Sequence, residues 1–214
     1  MNILNQLEAS RVIAVLRGLR LDNALDIANA LYQGGITTLE ITMETPKALQ
    51  IIEKIRTELG EKVLVGAGTV LDPETARSAI MAGSAFVFSP TVNEKTIEMT
   101  KRYGVFSVPG AFSPTEVLSA VEAGADAVKI FPASVLGSRY LKDIKGPLPH
   151  IPLIPTGGID LDNAHEFIKA GAIAVGVGGS LVDLKEETKS DFLENITMKS
   201  KQFIQAIETG HVNN

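Results

Sequence analysis

The sequence predicts a (β/α)8 barrel forming one domain over residues 1–214, and three observations carry that prediction. Eight short runs rich in β-branched residues alternate with amphipathic helical stretches along the chain, the pattern of βαβ units around a parallel sheet. Glycines stand just ahead of most of those runs, where a left-handed residue ends the preceding helix. The first strand ends Leu16-Arg17-Gly18-Leu19, without the Gly-x-Gly-x-x-Gly turn that an open dinucleotide-binding sheet carries. Eight units in about 200 residues suit a closed barrel, which leaves no strand edge exposed.

The elements follow in order. A short helix is expected over residues 2–8, a strand over 12–17 and a helix over 22–33. Gly34-Gly35 closes that helix ahead of the strand 37–43. A helix over 46–59 leads to the strand 63–70. Asp72-Pro73 then opens the helix 73–81 with an N-cap and a first-turn proline. Gly83 precedes the strand 85–89, and Gly104 precedes 105–109. Ser113-Pro114 opens a further helix, and Gly124 precedes the strand 127–131. The last two strands are 153–156 and 174–178. Between them a helix over 161–169 is capped by Asp160 and followed by Gly171. A long helix over 190–208 completes the pattern. No Ser/Gly-rich linker or charge block divides the chain.

Composition bounds the function. Hydrophobic residues make up 45% and charged residues 21%, ordinary for a soluble globular protein. The net charge of −5 supplies no basic footprint for nucleic acid or an anionic membrane. Phosphorylated small molecules stay open, because backbone amides hold such groups locally. There is no cysteine, which removes disulfides, thiolate catalysis and cysteine-ligated zinc. The opening MNILNQLEASRVIAVLRG lacks the basic start and long apolar core of a signal peptide. No apolar run reaches the ~18 residues of a membrane helix. A cytoplasmic protein is expected.

Strand alternation selects the inward side chains. In residues 127–131, Val128 and Ile130 are expected to face the helices, and Lys129 and Phe131 the interior. In residues 38–43, Leu39, Ile41 and Met43 face outward, and Glu40 points in with Thr38 and Thr42. Ala67 and Thr69 are placed on the inward face of the third strand. Arg17 stands at the tip of the first strand, on the face of Ile13 and Val15. A lysine in an apolar strand is costly unless paired or discharged, and a discharged amine is a nucleophile for carbonyl carbon. A structural Lys129–Glu40 ion pair bracing the barrel is the competing reading. Ionisable residues at C-terminal strand ends of such barrels favour chemistry.

Two glycine-rich segments end the last strands: Pro155-Thr156-Gly157-Gly158-Ile159 and Gly176-Val177-Gly178-Gly179-Ser180. Loops after strands seven and eight commonly hold phosphate on backbone amides, and Ser180 is expected to add a hydroxyl donor. Tight turns alone are the alternative. His150, His165 and His211 form no pair at ligand spacing, so no metal site is expected, and a lysine nucleophile needs no cofactor.

Together these residues resemble a known family, the 2-keto-3-deoxy-6-phosphogluconate (KDPG) and 4-hydroxy-2-oxoglutarate (KHG) aldolases. The marks are GGITTLEIT (34–42), VGAGTV (65–70), FSP (88–90), PGAFSPTE (109–116), VKIFPA (128–133), PTGGI (155–159) and VGVGGS (175–180), in order and on the expected strands. The resemblance spans residues 12 to about 182. It implies a homotrimeric class I aldolase of sugar-acid breakdown of the Entner–Doudoroff kind, with pyruvate and a phosphorylated keto acid as its small-molecule partners. It places the Schiff-base lysine on Lys129 and the acid/base glutamate on Glu40. Substrate contacts fall on Thr69, Pro90, Phe131 and Thr156, and phosphate contacts on Gly157, Gly158, Gly178, Gly179 and Ser180.

One position departs from the pattern. Some members carry a carboxylate-binding arginine four residues after the glutamate; here that residue is Glu44, which would repel the substrate's own carboxylate. Arg17 is the substitute candidate. Two relatives of the main reading stay open: an aldolase for the galactonate epimer, and a phosphosugar isomerase or epimerase. A non-catalytic barrel that senses a phosphorylated metabolite is a third, although it has no use for Lys129 with Glu40.

Overall fold

The computed structural model describes residues 3–209. In chain order its elements are α1 (Ile3–Ser10), β1 (Val12–Leu16), α2 (Ala24–Gln33), β2 (Thr38–Thr42), α3 (Ala48–Leu59), β3 (Leu64–Gly68), α4 (Pro73–Met81), β4 (Phe86–Phe88), α5 (Glu94–Arg102), β5 (Phe106–Val108), β6 (Gly110–Ala111), α6 (Pro114–Glu122), β7 (Val128–Ile130), α7 (Ala133–Lys145), β8 (Leu153–Pro155), α8 (Ala164–Lys169), β9 (Val175–Val177) and α9 (Phe192–Thr209), with a one-turn 3-10 helix at Leu184–Glu186 before α9. The start of the helix expected over 2–8 lies outside the described residues; α1 runs two residues further than that expectation at its other end.

The fold is α/β with parallel strands. Six form one sheet in the order β5-β4-β3-β2-β1-β9, and three form a second in the order β6-β7-β8. Eight strands were expected, and the fifth is found in two pieces. β5 and β6 are one run of chain divided at Pro109, which has no N–H to donate. The Pro109 carbonyl accepts from the Lys129 N–H at 2.9 Å, while the neighbouring Val108 carbonyl accepts from Ser89 at 3.1 Å. On the other side, Thr156 and Gly176 form a parallel bridge, and Ile173 N–H donates to the Leu153 carbonyl at 3.0 Å.

Two cores lie on the two faces of the strands. Leu39, Ile41, Val128 and Ile130 pack outward with helix residues such as Ile27, Ile51 and Val117. On the inner face Ile13, Phe86, Phe88, Phe106 and Ile154 gather around Leu7 of α1. Leu7 is fully buried, so α1 seals one end of the interior. Alternation predicted these faces on β1, β2 and β7. It failed on β3, where Ala67 belongs to the helix-facing core and the inner positions are glycines. A Cβ on Gly66 would lie 2.3 Å from the Phe86 ring. The large ring on β4 therefore requires an empty position on β3.

The helix signals held in most places. Asp72 accepts from the Thr75 N–H at 2.6 Å, and Ser113 with Glu116 forms a reciprocal capping box on α6. Backbone N–H groups of Phe112 and Ser113, with the Ser113 hydroxyl, hold the Glu116 carboxyl below its ordinary range. Asp160 does not cap α8: its carboxylate accepts from the N–H groups of Asp162 and Asn163 in a turn ahead of that helix, which begins only at Ala164. Gly34 is likewise not left-handed. It takes φ −82°, and Gly35 makes the turn at φ 93°. A side chain at Gly34 is excluded for another reason, since its Cβ would lie 2.2 Å from Ser200 Cβ on α9.

Candidate active site

The parallel register places Glu40 opposite Val15 and Gly66, and Lys129 between Gly110 and Ile154. These two ionisable side chains meet inside the strands. Lys129 Nζ lies 3.7 Å from Glu40 Oε1, with side-chain exposures of 6% and 0%. Neither Glu40 oxygen has a hydrogen-bond partner among the described residues. A buried polar group left unmet costs about 1–3 kcal/mol, and more when charged, and among the described residues the Lys129 amine is the charge that compensates it. Gly68 makes the arrangement possible, because a Cβ there would lie 1.9 Å from Glu40 Oε1. The amine is flanked by aromatic rings, with centroids 5.2 Å away for Phe131 and 5.8 Å for Phe88.

A cavity of about 820 Å³ opens above this pair at the C-terminal ends of the strands. Arg17, Thr69, Pro90, Lys129, Phe131 and Thr156 line it. So do the two glycine segments, through Gly157, Gly158, Gly178, Gly179 and Ser180. Every residue predicted for the site therefore borders one space except Glu40, which is fully buried and meets the cavity through Lys129. Thr69 arrives by a route that alternation did not foresee. It takes φ 54°, an uncommon backbone for a branched residue, and that turn brings it to the cavity wall although Ala67 faces the helices. Thr156 bridges to Gly176, and its buried hydroxyl has no partner among the described residues.

Two predicted roles are altered by geometry. The Ser180 hydroxyl donates to the Ile159 carbonyl at 2.6 Å. Its single proton is used there, leaving the backbone N–H as the free donor. Arg17 is ion-paired with Glu44 at the exposed rim. The departure at Glu44 and the candidate that substitutes for it are thus partners.

Sequence reasoning missed Phe88, Asp160, Asp183 and Lys185. Phe88 was legible, since the alternation that faces Phe86 inward faces Phe88 inward as well. The segment after Ser180 reaches the cavity through a 3-10 turn that no periodicity announces. His150 is exposed and His165 half-buried, neither lines the cavity, and His211 lies outside the described residues. Among the described residues no cluster of His, Asp and Glu is arranged to hold a metal ion. None of their helices is long and apolar enough to cross a membrane.

The sequence model of the KDPG and KHG aldolase family matches residues 3–198. A 2-dehydro-3-deoxy-phosphogluconate aldolase of Treponema pallidum is 36% identical over 206 residues, 96% of this chain and 97% of its own length. A 2-dehydro-3-deoxy-6-phosphogalactonate aldolase of Escherichia coli is 37% identical over 79% of this chain and 83% of its own length. Among solved structures, a KDPG aldolase from Legionella pneumophila, with pyruvate captured at low pH as a covalent carbinolamine intermediate, superposes with a TM-score of 0.87 at 30% identity, covering 94% of this chain and 97% of that one. The chain belongs to the KDPG and KHG aldolase family and is an enzyme of the carbon–carbon lyase class.

Proposed function

We propose that this chain is a class I aldolase that cleaves 2-keto-3-deoxy-6-phosphogluconate to pyruvate and glyceraldehyde 3-phosphate, and 4-hydroxy-2-oxoglutarate to pyruvate and glyoxylate. The observation that carries the reading is the buried Glu40 carboxylate, with both oxygens unpartnered, 3.7 Å from the Lys129 amine at the floor of an open cavity. On this reading the Lys129 nitrogen attacks the C2 ketone, and a carbon–nitrogen bond forms. Loss of water leaves an iminium ion that accepts the electron pair of the breaking C3–C4 bond. Glu40 takes the proton from the C4 hydroxyl, which frees the aldehyde, and returns one to the enamine carbon; water then adds to the pyruvate iminium and the carbon–nitrogen bond breaks, releasing pyruvate and the Lys129 amine. The iminium charge, absent from free substrate, is what the neighbouring carboxylate stabilises. The amides of Gly157, Gly158, Gly178, Gly179 and Ser180 hold the phosphate and align the scissile bond from a distance. Thr69, Pro90, Phe131 and Thr156 shape the keto-acid end, and Arg17 meets the carboxylate once released from Glu44.

The same proposal takes the two sheets as one closed (β/α)8-barrel domain. The Thr156–Gly176 bridge and the continuous run through Pro109 support closure. It takes the protein as a cytoplasmic homotrimer, for which the exposed apolar side chains of Phe112 and Val135 offer surface for a neighbouring copy to cover; sedimentation velocity tests the assembly.

Incubation with pyruvate followed by borohydride, read by intact mass, tests the chemistry. A pyruvate-sized adduct on the wild type and none on Lys129→Ala is the expected result. No adduct on either overturns it. The E. coli galactonate-epimer relative at 37% identity supports a second reading in which that epimer is preferred. Side-by-side kcat/KM with the two epimers decides between them.

A further inference from the structure

The phosphate end of the cavity carries negative charge of its own. Asp160 and Asp183 both line it beside the glycine segments. Asp160 accepts from two backbone N–H groups at 3.0 Å, and Asp183 accepts from the Lys185 N–H at 3.1 Å. Those bonds hold the two carboxylates in place, within reach of any anion at the glycine turns. Exposed charges interact over a screening length of about 10 Å at 0.1 M salt, so both oppose an arriving phosphate dianion. Backbone amides offer only partial charges in return, and the Ser180 hydroxyl proton already belongs to Ile159.

Three residues with cationic side chains line the cavity: Arg17, Lys129 and Lys185. Lys129 sits at the buried end against Glu40, and Arg17 is paired with Glu44. Lys185 stands on the one-turn helix Leu184–Glu186, a few residues past Gly178-Gly179-Ser180. Among the described residues its ammonium has no ion-pair or hydrogen-bond partner. Nearby cations are engaged: Lys189 binds Glu186 at 2.8 Å, and Arg20 binds Glu187 at 2.7 Å. An exposed ammonium on a flexible four-carbon stem, next to anion-binding turns and two carboxylates, is suited to meet a phosphate.

We infer that Lys185 is the cation of the phosphate end, and that it makes the enzyme prefer phosphorylated over unphosphorylated keto acids. The inference rests on the aldolase reading above and deepens it. A charge-assisted contact, discounted for exposure, predicts an effect of about tenfold.

The test compares kcat/KM for 2-keto-3-deoxy-6-phosphogluconate and for 4-hydroxy-2-oxoglutarate, which shares the keto-acid end and lacks the phosphate. Lys185→Ala is expected to lower the ratio of the two about tenfold, Lys185→Glu to lower it further, and Lys185→Arg to restore most of it. Inhibition by inorganic phosphate is expected to weaken in the same order. A ratio within twofold of wild type in both the Ala and Glu variants overturns the assignment. So does an equal fall on both substrates, which marks a loop-folding role. The pyruvate–borohydride adduct separates this failure from a failure of the aldolase reading: a wild type without the adduct overturns both, and a wild type with it leaves the ratio to decide Lys185 alone.

Discussion

The two ends of the inner strand face are built on opposite rules. At the N-terminal end Ile13, Phe86, Phe106 and Ile154 fill the space and Leu7 of α1 seals it, with no ionisable group among them, although Thr38 at the start of β2 also keeps an unpartnered buried hydroxyl. Toward the C-terminal end the same face holds Lys129, Glu40 and Thr156, three polar side chains of which two keep unpartnered oxygens, beneath a cavity left open by glycine turns. The filled end gains about 25 cal/mol for each Å² of apolar surface removed from water. The open end gains little of this and carries desolvation costs of about 1–3 kcal/mol per unmet polar group. Stability at one end thus supports a reactive arrangement at the other. The strands join the two.

Substitutions at each end can break that division. The largest effect is expected from Glu40→Gln, which should lower kcat for aldol cleavage by about 10²–10⁴-fold, the range for a lost acid/base group, while the thermal midpoint stays within a few degrees. A loss of folding with retained specific activity would reverse the comparison. Phe86→Ala should do the converse. It should cost about 3–5 kcal/mol in denaturant unfolding and leave the kcat of the remaining folded enzyme near wild type.

At the rim smaller effects sharpen the picture. Arg17→Ala should raise KM for the keto acid about tenfold, as expected for a lost charged hydrogen bond. Glu44→Gln should lower KM by about two- to fivefold at low salt, because an exposed ion pair is worth about 0–1 kcal/mol and its removal frees Arg17. An unchanged KM in both would remove Arg17 from the site. The smallest effect belongs to the scaffold. Asp72→Ala should destabilise by about 1 kcal/mol through loss of the α4 cap. The Thr75 N–H and hydroxyl hold the Asp72 carboxyl below its ordinary range. The stabilisation is therefore fully present above the usual aspartate pKa of about 4. It should fade as pH falls through the lowered value, so wild type and variant converge in acid unfolding.

Much of this was legible in the sequence wherever local chemistry dominates. Asp72-Pro73 and Ser113-Pro114 announce helix starts, because the capping partners lie within three residues. The inward Lys129 and Glu40 follow from period-two alternation on β7 and β2. Alternation misled on β3, where Gly66 and Gly68 face inward because Phe86 and Glu40 fill the space a Cβ would need, a constraint set by other strands. Pro109 divides the fifth strand through a hydrogen bond that cannot form, a loss visible only against its neighbours. The Arg17–Glu44 pair joins residues 27 positions apart, so Glu44 read in isolation looked only like a repulsive departure. The resemblance to the KDPG and KHG aldolases supplied the assignment of chemistry to these residues. It was silent on Lys185, which no motif marks.

The unequal walls of the cavity bear on the reaction run backwards. Around Lys129 the space is bounded by the Phe131 ring, with the buried Phe88 ring behind the amine, fixed shapes that suit one small, flat donor. At the far end it is bounded by glycine backbone and an exposed one-turn helix, which impose few steric demands. In carbon–carbon bond formation this asymmetry predicts a narrow choice of nucleophile and a wider steric tolerance for the aldehyde, alongside the phosphate preference proposed for Lys185. Redesign for new condensation products belongs at Gly178 and Gly179, where an added Cβ meets nothing nearer than 3.9 Å, and not at Gly157 or Gly158, where it would press on Phe131 and Ser134.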